Sequence, residues 1–143
     1  RIMEAHENYN RQHQDIRTEN GIEYGDVISG VNFKYAKKLT AVNAINLASL
    51  GWSPEEPKNV KIGGAVKPST KLKWEKPKNS KILGYKIYWR ETTSPYWENS
   101  RFVGNINQFT LKGIVIDNYL FGVSSVGNNN QESVIVFPSE VFN

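Results

Sequence analysis

The sequence predicts a mainly β protein, a seven-stranded Greek-key sandwich preceded by one long α-helix. Three observations predict it. After Pro57 apolar residues recur at intervals of two, the period of strands with one face buried. Between residues 32 and 50 they recur at three and four, the period of a helical face. Between these stretches lies Ser53-Pro54-Glu55-Glu56-Pro57, a linker by composition.

Residues 1–28 are polar and irregular, with turn signals at Asn20-Gly21 and Tyr24-Gly25-Asp26. Tyr35, Leu39, Val42, Ile45 or Asn46, and Ser49-Leu50 then mark a helix over 32–50, about five turns long. Ala36, Ala41, Ala44 and Ala48 favour it, and Gly51 is its expected stop. It reads as amphipathic, with an apolar stripe that residues 1–52 cannot cover. The chain opens Arg1-Ile2-Met3, which suggests the C-terminal piece of a longer protein.

Seven strands are expected in the tail. Val60 and Ile62 form the first, closed by Gly63-Gly64. Leu72 and Trp74 share a face in the second, and Pro77–Ser80 is a turn. The third and longest runs from Ile82 to Glu91, with Tyr85, Ile87 and Trp89 on one side. Phe102-Val103, then Phe109 and Leu111, mark the next two. Tyr119, Phe121 and Val123 alternate in the sixth. Gly127–Asn130 turns the chain into a closing strand, Ser133 to Phe137. The domain reading is residues 1–52, a linker at 53–57 and a sandwich at 58–143.

Composition excludes several chemistries. With no cysteine there are no disulfides, thiolate zinc sites or cysteine nucleophiles. No apolar run approaches the ~20 residues of a membrane span. Nucleotide-binding loops and serine-hydrolase elbows are absent. The net charge of +4 sits in the tail, and ten basic residues between Lys58 and Arg90 face only Glu75. Lys71 and Lys73 alternate with Leu72 and Trp74, so the stretch reads as solvated strand faces divided between two sheets, and no nucleic-acid partner is expected.

Two resemblances add to this. Trp74, Gly84-Tyr85-x-Ile87-x-Trp89 and Tyr119-x-Phe121-x-Val123 make residues 57–138 resemble a fibronectin type III (immunoglobulin-like) domain. That likeness implies Trp74 as a core pillar and Tyr119 as a corner whose hydroxyl bonds the preceding loop. Residues 4–50, through Glu7-Asn8-Tyr9-Asn10, Gln12–Arg17, Tyr24-Gly25-Asp26, Val31-Asn32-Phe33 and Val42-Asn43-Ala44, resemble the end of the catalytic domain in zinc aminopeptidases of peptidase family M-twenty-eight, especially secreted bacterial members. The family holds two zinc ions, its last ligand in a His-x-x-x-Asp pattern. Asp15 matches the aspartate, but Arg11 stands where the histidine belongs. Arginine is permanently cationic and cannot ligate. The ligand reads as lost, with His13 the only substitute; His6 and His13 otherwise read as surface residues.

The resulting expectation is a non-catalytic accessory module of a secreted zinc aminopeptidase-like protein, extracellular or periplasmic, with zinc only in the full-length parent. Helix 32–50 would meet the parent catalytic domain or a second copy. The alternative is a stand-alone carbohydrate- or protein-binding sandwich. Its glycan or peptide surface would be Tyr96 and Trp97 beside Arg90 and Arg101, unless Trp97 folds over the sandwich edge as packing.

Overall fold

A computed structural model describes residues 6–78 and 81–142. Asn79 and Ser80 of the expected turn, and the opening Arg1-Ile2-Met3, lie outside the described residues. The chain forms two compact units that divide between Ala48 and Ser49.

In the first unit, β1 (Arg17–Glu19) pairs with β2 (Ile22–Tyr24) as an antiparallel hairpin that sequence periodicity did not reveal. Its two-residue turn is Asn20-Gly21, with φ of 50° and 77°. Both values lie in the left-handed region that a tight hairpin of this type requires. A 3₁₀ turn at Ile28–Gly30 leads to α1 (Phe33–Trp52). Asn32 caps α1: its Oδ1 accepts the Tyr35 N–H at 3.1 Å.

The helix departs from expectation in two ways. It runs through Gly51 to Trp52, ending where the N–H and Oγ of Ser53 both donate to the Leu50 carbonyl, at 3.3 and 2.7 Å. Pro54 then lacks the N–H to continue. Nor is its apolar surface a single stripe. Ile45 and Leu47 lie roughly 200° apart around the axis, yet both are large, apolar and exposed. From Leu39 to Trp52 no residue is charged, and none of α1 is buried.

The second unit is a two-layer sandwich. One sheet has the order β7-β4-β3-β9, with β3 at Lys58–Gly63, β4 at Ser69–Glu75, β7 at Gln108–Lys112 and β9 at Glu140–Val141. The other is β6-β5-β8, formed by Asn99–Gly104, Ile82–Glu91 and Tyr119–Gly127. Alternation in β4, β5 and β8 turns Leu72, Trp74, Tyr85, Ile87, Phe121 and Val123 into one core, joined by Val60, Ile82 and Leu111. Each fully buried aliphatic side chain contributes about 1.5–3 kcal/mol. Trp74 stands as a pillar at 3% exposure, its ring 5.2 Å from that of Tyr85. Tyr119 is half-buried and edge-on to Phe121 at 6.3 Å; among the described residues its hydroxyl makes no hydrogen bond.

The described residues hold nine strands, where seven were expected. Two are the head hairpin. The expected closing strand, Ser133–Phe137, is replaced by isolated bridges, Val126 to Glu132 and Val123 to Val136. The ladder stops at Pro138, which has no N–H to donate. The chain then crosses to the other sheet, where β9 runs parallel to β3. Ser139 N–H donates to Val60 and Phe142 N–H to Ile62, at 3.0 and 2.9 Å. This last segment seals both sheets.

Candidate functional site

Past the register shift between Ile82 and Gly84, β5 places Lys86, Tyr88 and Arg90 on the outer face of its sheet and Tyr85, Ile87 and Trp89 toward the core. The segment after β5 folds back over that face. Arg90 Nη1 donates to the Ser94 carbonyl, and its guanidinium lies 5.5 Å from the Trp97 ring centre. Trp97 lies between Tyr88 at 5.8 Å and Phe137 at 5.3 Å. Beneath it is Gly122, where an added Cβ would stand 2.3 Å from Ile135 and 3.2 Å from Trp97. Any larger side chain there would have to displace Ile135.

The four sequence-predicted binding residues are thus not one surface. Trp97 is half-buried in an aromatic stack, with Arg90 over it. Tyr96 is 78% exposed. Arg101 pairs in register with Ile87, which places it on the opposite face of the sheet from Arg90. Sequence proximity suggested convergence, but strand parity separates them.

Beside the stack lies a polar cluster that sequence reading missed. Glu132 accepts from Lys86 Nζ at 2.9 Å, from the Tyr88 hydroxyl, and from Ser124 Oγ at 3.2 Å. Partial burial works to raise the Glu132 pKa, but the hydrogen bonds from Tyr88 and Lys86 outweigh it and hold it lowered. Burial and the bond to Glu132 raise that of Tyr88, and the bond to Glu132 raises that of Lys86. Every member is satisfied by another, the arrangement of a structural clasp between β5, β8 and the segment after it. Glu132 lies 44 and 46 residues from Tyr88 and Lys86 in sequence, and no local motif announces the pairing.

In the head, Arg11 is not positioned as a metal ligand would be. Its Nη2 bonds Glu23 at 2.8 Å, and its guanidinium packs on Gly30. It ties the loop before β1 to β2 and the 3₁₀ turn. His13 is exposed, and its backbone sits at φ 52°, a conformation uncommon outside glycine and asparagine. Asp15 and His6 are also exposed. Among the described residues no three His, Cys, Asp or Glu side chains come together to hold a metal ion. Among them, too, no helix is long and apolar enough to cross a membrane.

Known proteins resemble both parts of the chain. A probable zinc metalloprotease of Leptosphaeria maculans is 42% identical over 139 residues, covering 96% of this chain and 32% of the relative. A probable zinc metalloprotease of Pyrenophora tritici-repentis is 36% identical over 141 residues, again 96% of this chain and 32% of the relative. The chain spans about a third of the length of these curated relatives. The matches run across both units, so head and sandwich occur together in them. Both relatives are fungal, in place of the bacterial ones the resemblance implied. No family model matches the chain. Among solved structures, the fibronectin type III domain of the human collagen alpha-1(XX) chain superposes with a TM-score of 0.50 at 19% identity, covering 60% of this chain and 82% of that domain. The tail has a fibronectin-like sandwich fold.

Proposed function

We propose that the chain is a non-catalytic accessory portion of a zinc metallopeptidase. Catalysis belongs to the part of the relatives' length that this chain does not span, a domain of the two-zinc aminopeptidase type of family M-twenty-eight. In this reading residues 1–52 complete that catalytic domain, 53–57 link it to the sandwich, and the sandwich at 58–143 stabilises or spaces it. An extracellular location belongs to the same reading.

One observation carries it. Helix α1 is twenty residues long, none of them buried, and it exposes Phe33, Val42, Ile45, Leu47, Leu50 and Trp52 by 48–75%. A helix that leaves this many large apolar side chains exposed needs a partner surface to cover them. Hydrogen exchange tests this directly. The α1 amides of the isolated chain are expected to exchange fast and those of the full-length L. maculans relative slowly. Fast exchange in both would end the reading. If sedimentation instead showed a helix-dependent dimer of the isolated chain, with fast exchange in the full-length protein, the partner would be a second copy.

Should the parent's zinc site draw a ligand from this segment, that ligand is His13. Arg11 is committed to Glu23 and Gly30, whereas the His13 imidazole makes no bond among the described residues. In a chimera of the relative's upstream part with this chain, His13→Ala lowers bound zinc only if His13 is that substitute; with the ligand lost, bound zinc is unchanged. Arg11→Ala is expected to lower stability and leave zinc in place. The opposite pattern would return His13 to the surface.

A further inference from the structure

The outer face of the four-stranded sheet carries charge that its own side chains do not neutralise. Of the basic run from Lys58 to Arg90, several members are paired: Lys58 with Glu55 and Glu56, Lys61 with Glu140, and Lys86 with Glu132. Lys67, Lys71 and Lys73 have no carboxylate partner among the described residues, and they line one groove of about 390 Å³ with Ser69, Thr110 and Phe142. No carboxylate side chain lines it. In register, Lys61 lies directly opposite Lys73, a like-charge pairing that costs stability unless it is answered. β9 answers half of it: Glu140 takes Lys61, and Phe142 offers only its ring, 4.3 Å from the Lys73 ammonium.

We propose that this groove binds the carboxylates of an acidic polysaccharide. Lys71 and Lys73 share a face of β4 two residues apart, about 6.8 Å along the strand, with Lys67 beyond them in the preceding loop. A row of point charges matches a chain of repeating charges. The hydroxyls of Ser69 and Thr110 both donate and accept, as sugar hydroxyls do. Nucleic acid fits less well. The groove has no guanidinium fork for phosphate, and its one aromatic face is already covered by Lys73. The site lies within the sandwich and is independent of what α1 contacts.

Affinity electrophoresis of the whole chain tests it, using polygalacturonate, with dextran, poly-dT and phosphatidylserine vesicles as comparison probes. Polygalacturonate is expected to bind in a salt-sensitive way and dextran not at all. The triple substitution Lys67→Gln, Lys71→Gln, Lys73→Gln is expected to weaken binding by at least about tenfold. The triple Lys→Arg variant should retain it, as should Lys76→Gln with Lys78→Gln. Circular dichroism checks that each variant is folded. No binding to polygalacturonate at low salt, equal loss in the control variant, or tighter binding to poly-dT or to vesicles would each overturn the proposal.

Discussion

Glu132 holds Lys86 at 2.9 Å, joining the segment after β8 to the middle of β5 on the outer face of the sandwich. The same carboxylate takes the hydroxyls of Tyr88 and Ser124. Its position makes the stability of the tail depend on pH. Glu132 titrates lower when folded than its ordinary value of 4.5, so in acid the unfolded chain binds more protons. The clasp is therefore fully present above that value and is lost as pH falls through the lowered one. Lys86 and Tyr88 are both raised, so their contribution is present below their ordinary values of 10.5 and 10.0 and is lost as pH rises past them. Glu132→Gln is expected to cost about 1–3 kcal/mol at neutral pH and to flatten the acid limb of the stability curve. Urea unfolding across pH measures both; an unchanged acid limb would remove Glu132 from the account.

Tyr85 and Trp74 are packed ring to ring, yet the Tyr85 hydroxyl and the Trp74 indole nitrogen are both buried without a hydrogen-bond partner. Burial alone raises the Tyr85 pKa. Removing an unsatisfied hydroxyl relieves a penalty of about 1–3 kcal/mol. Tyr85→Phe is expected to be neutral or stabilising by denaturant midpoint, whereas Trp74→Ala should cost about 3–5 kcal/mol. A clear loss of stability in Tyr85→Phe would reveal a partner for the hydroxyl.

Gly122 lies under Ile135 and Trp97, where a methyl group would have to displace Ile135. Gly122→Ala is expected to cost about 1–3 kcal/mol and to lift Trp97 off the sheet, shifting its fluorescence to the red. Wild-type stability and emission in this variant would show that the cover is loose.

At the N-terminus of α1, Asn32 supplies the capping side-chain oxygen. Asn32→Ala is expected to lose about 0.5–2 kcal/mol of helix stability, read as reduced helical circular dichroism in the isolated chain, with the sandwich's unfolding midpoint unchanged. A shift of that midpoint would mean that the sandwich's stability depends on the helix.

Much of the fold was legible because it is local. Period-two alternation located β4, β5 and β8 and chose the core residues Leu72, Trp74, Tyr85, Ile87, Phe121 and Val123. Residues 32–50 were recognisable as a helix, but Gly51 did not stop it, and a reading by one face overlooked Leu47 on another. The β1–β2 hairpin was too short and polar to show periodicity; only Asn20-Gly21 marked it. The candidate binding residues fared less well. Ser94–Trp97 reads as an aromatic loop, and whether Trp97 stacks on a ligand or on Gly122 depends on a glycine twenty-five residues away in the chain.

By itself, the sequence determined the main strand faces, the helix and the exclusion of thiol chemistry, since each follows from neighbours within a few residues. Only the tertiary structure decided how charges pair: which of Lys58, Lys61, Lys71, Lys73 and Lys86 meets a carboxylate. It also decided that Arg101 faces away from Arg90, and that the end of the chain bridges to β8 before it pairs with β3. The physical reason is range. Backbone periodicity is imposed by sterics within a turn or two, whereas ion pairs and stacked rings form between side chains brought together only when the two sheets close.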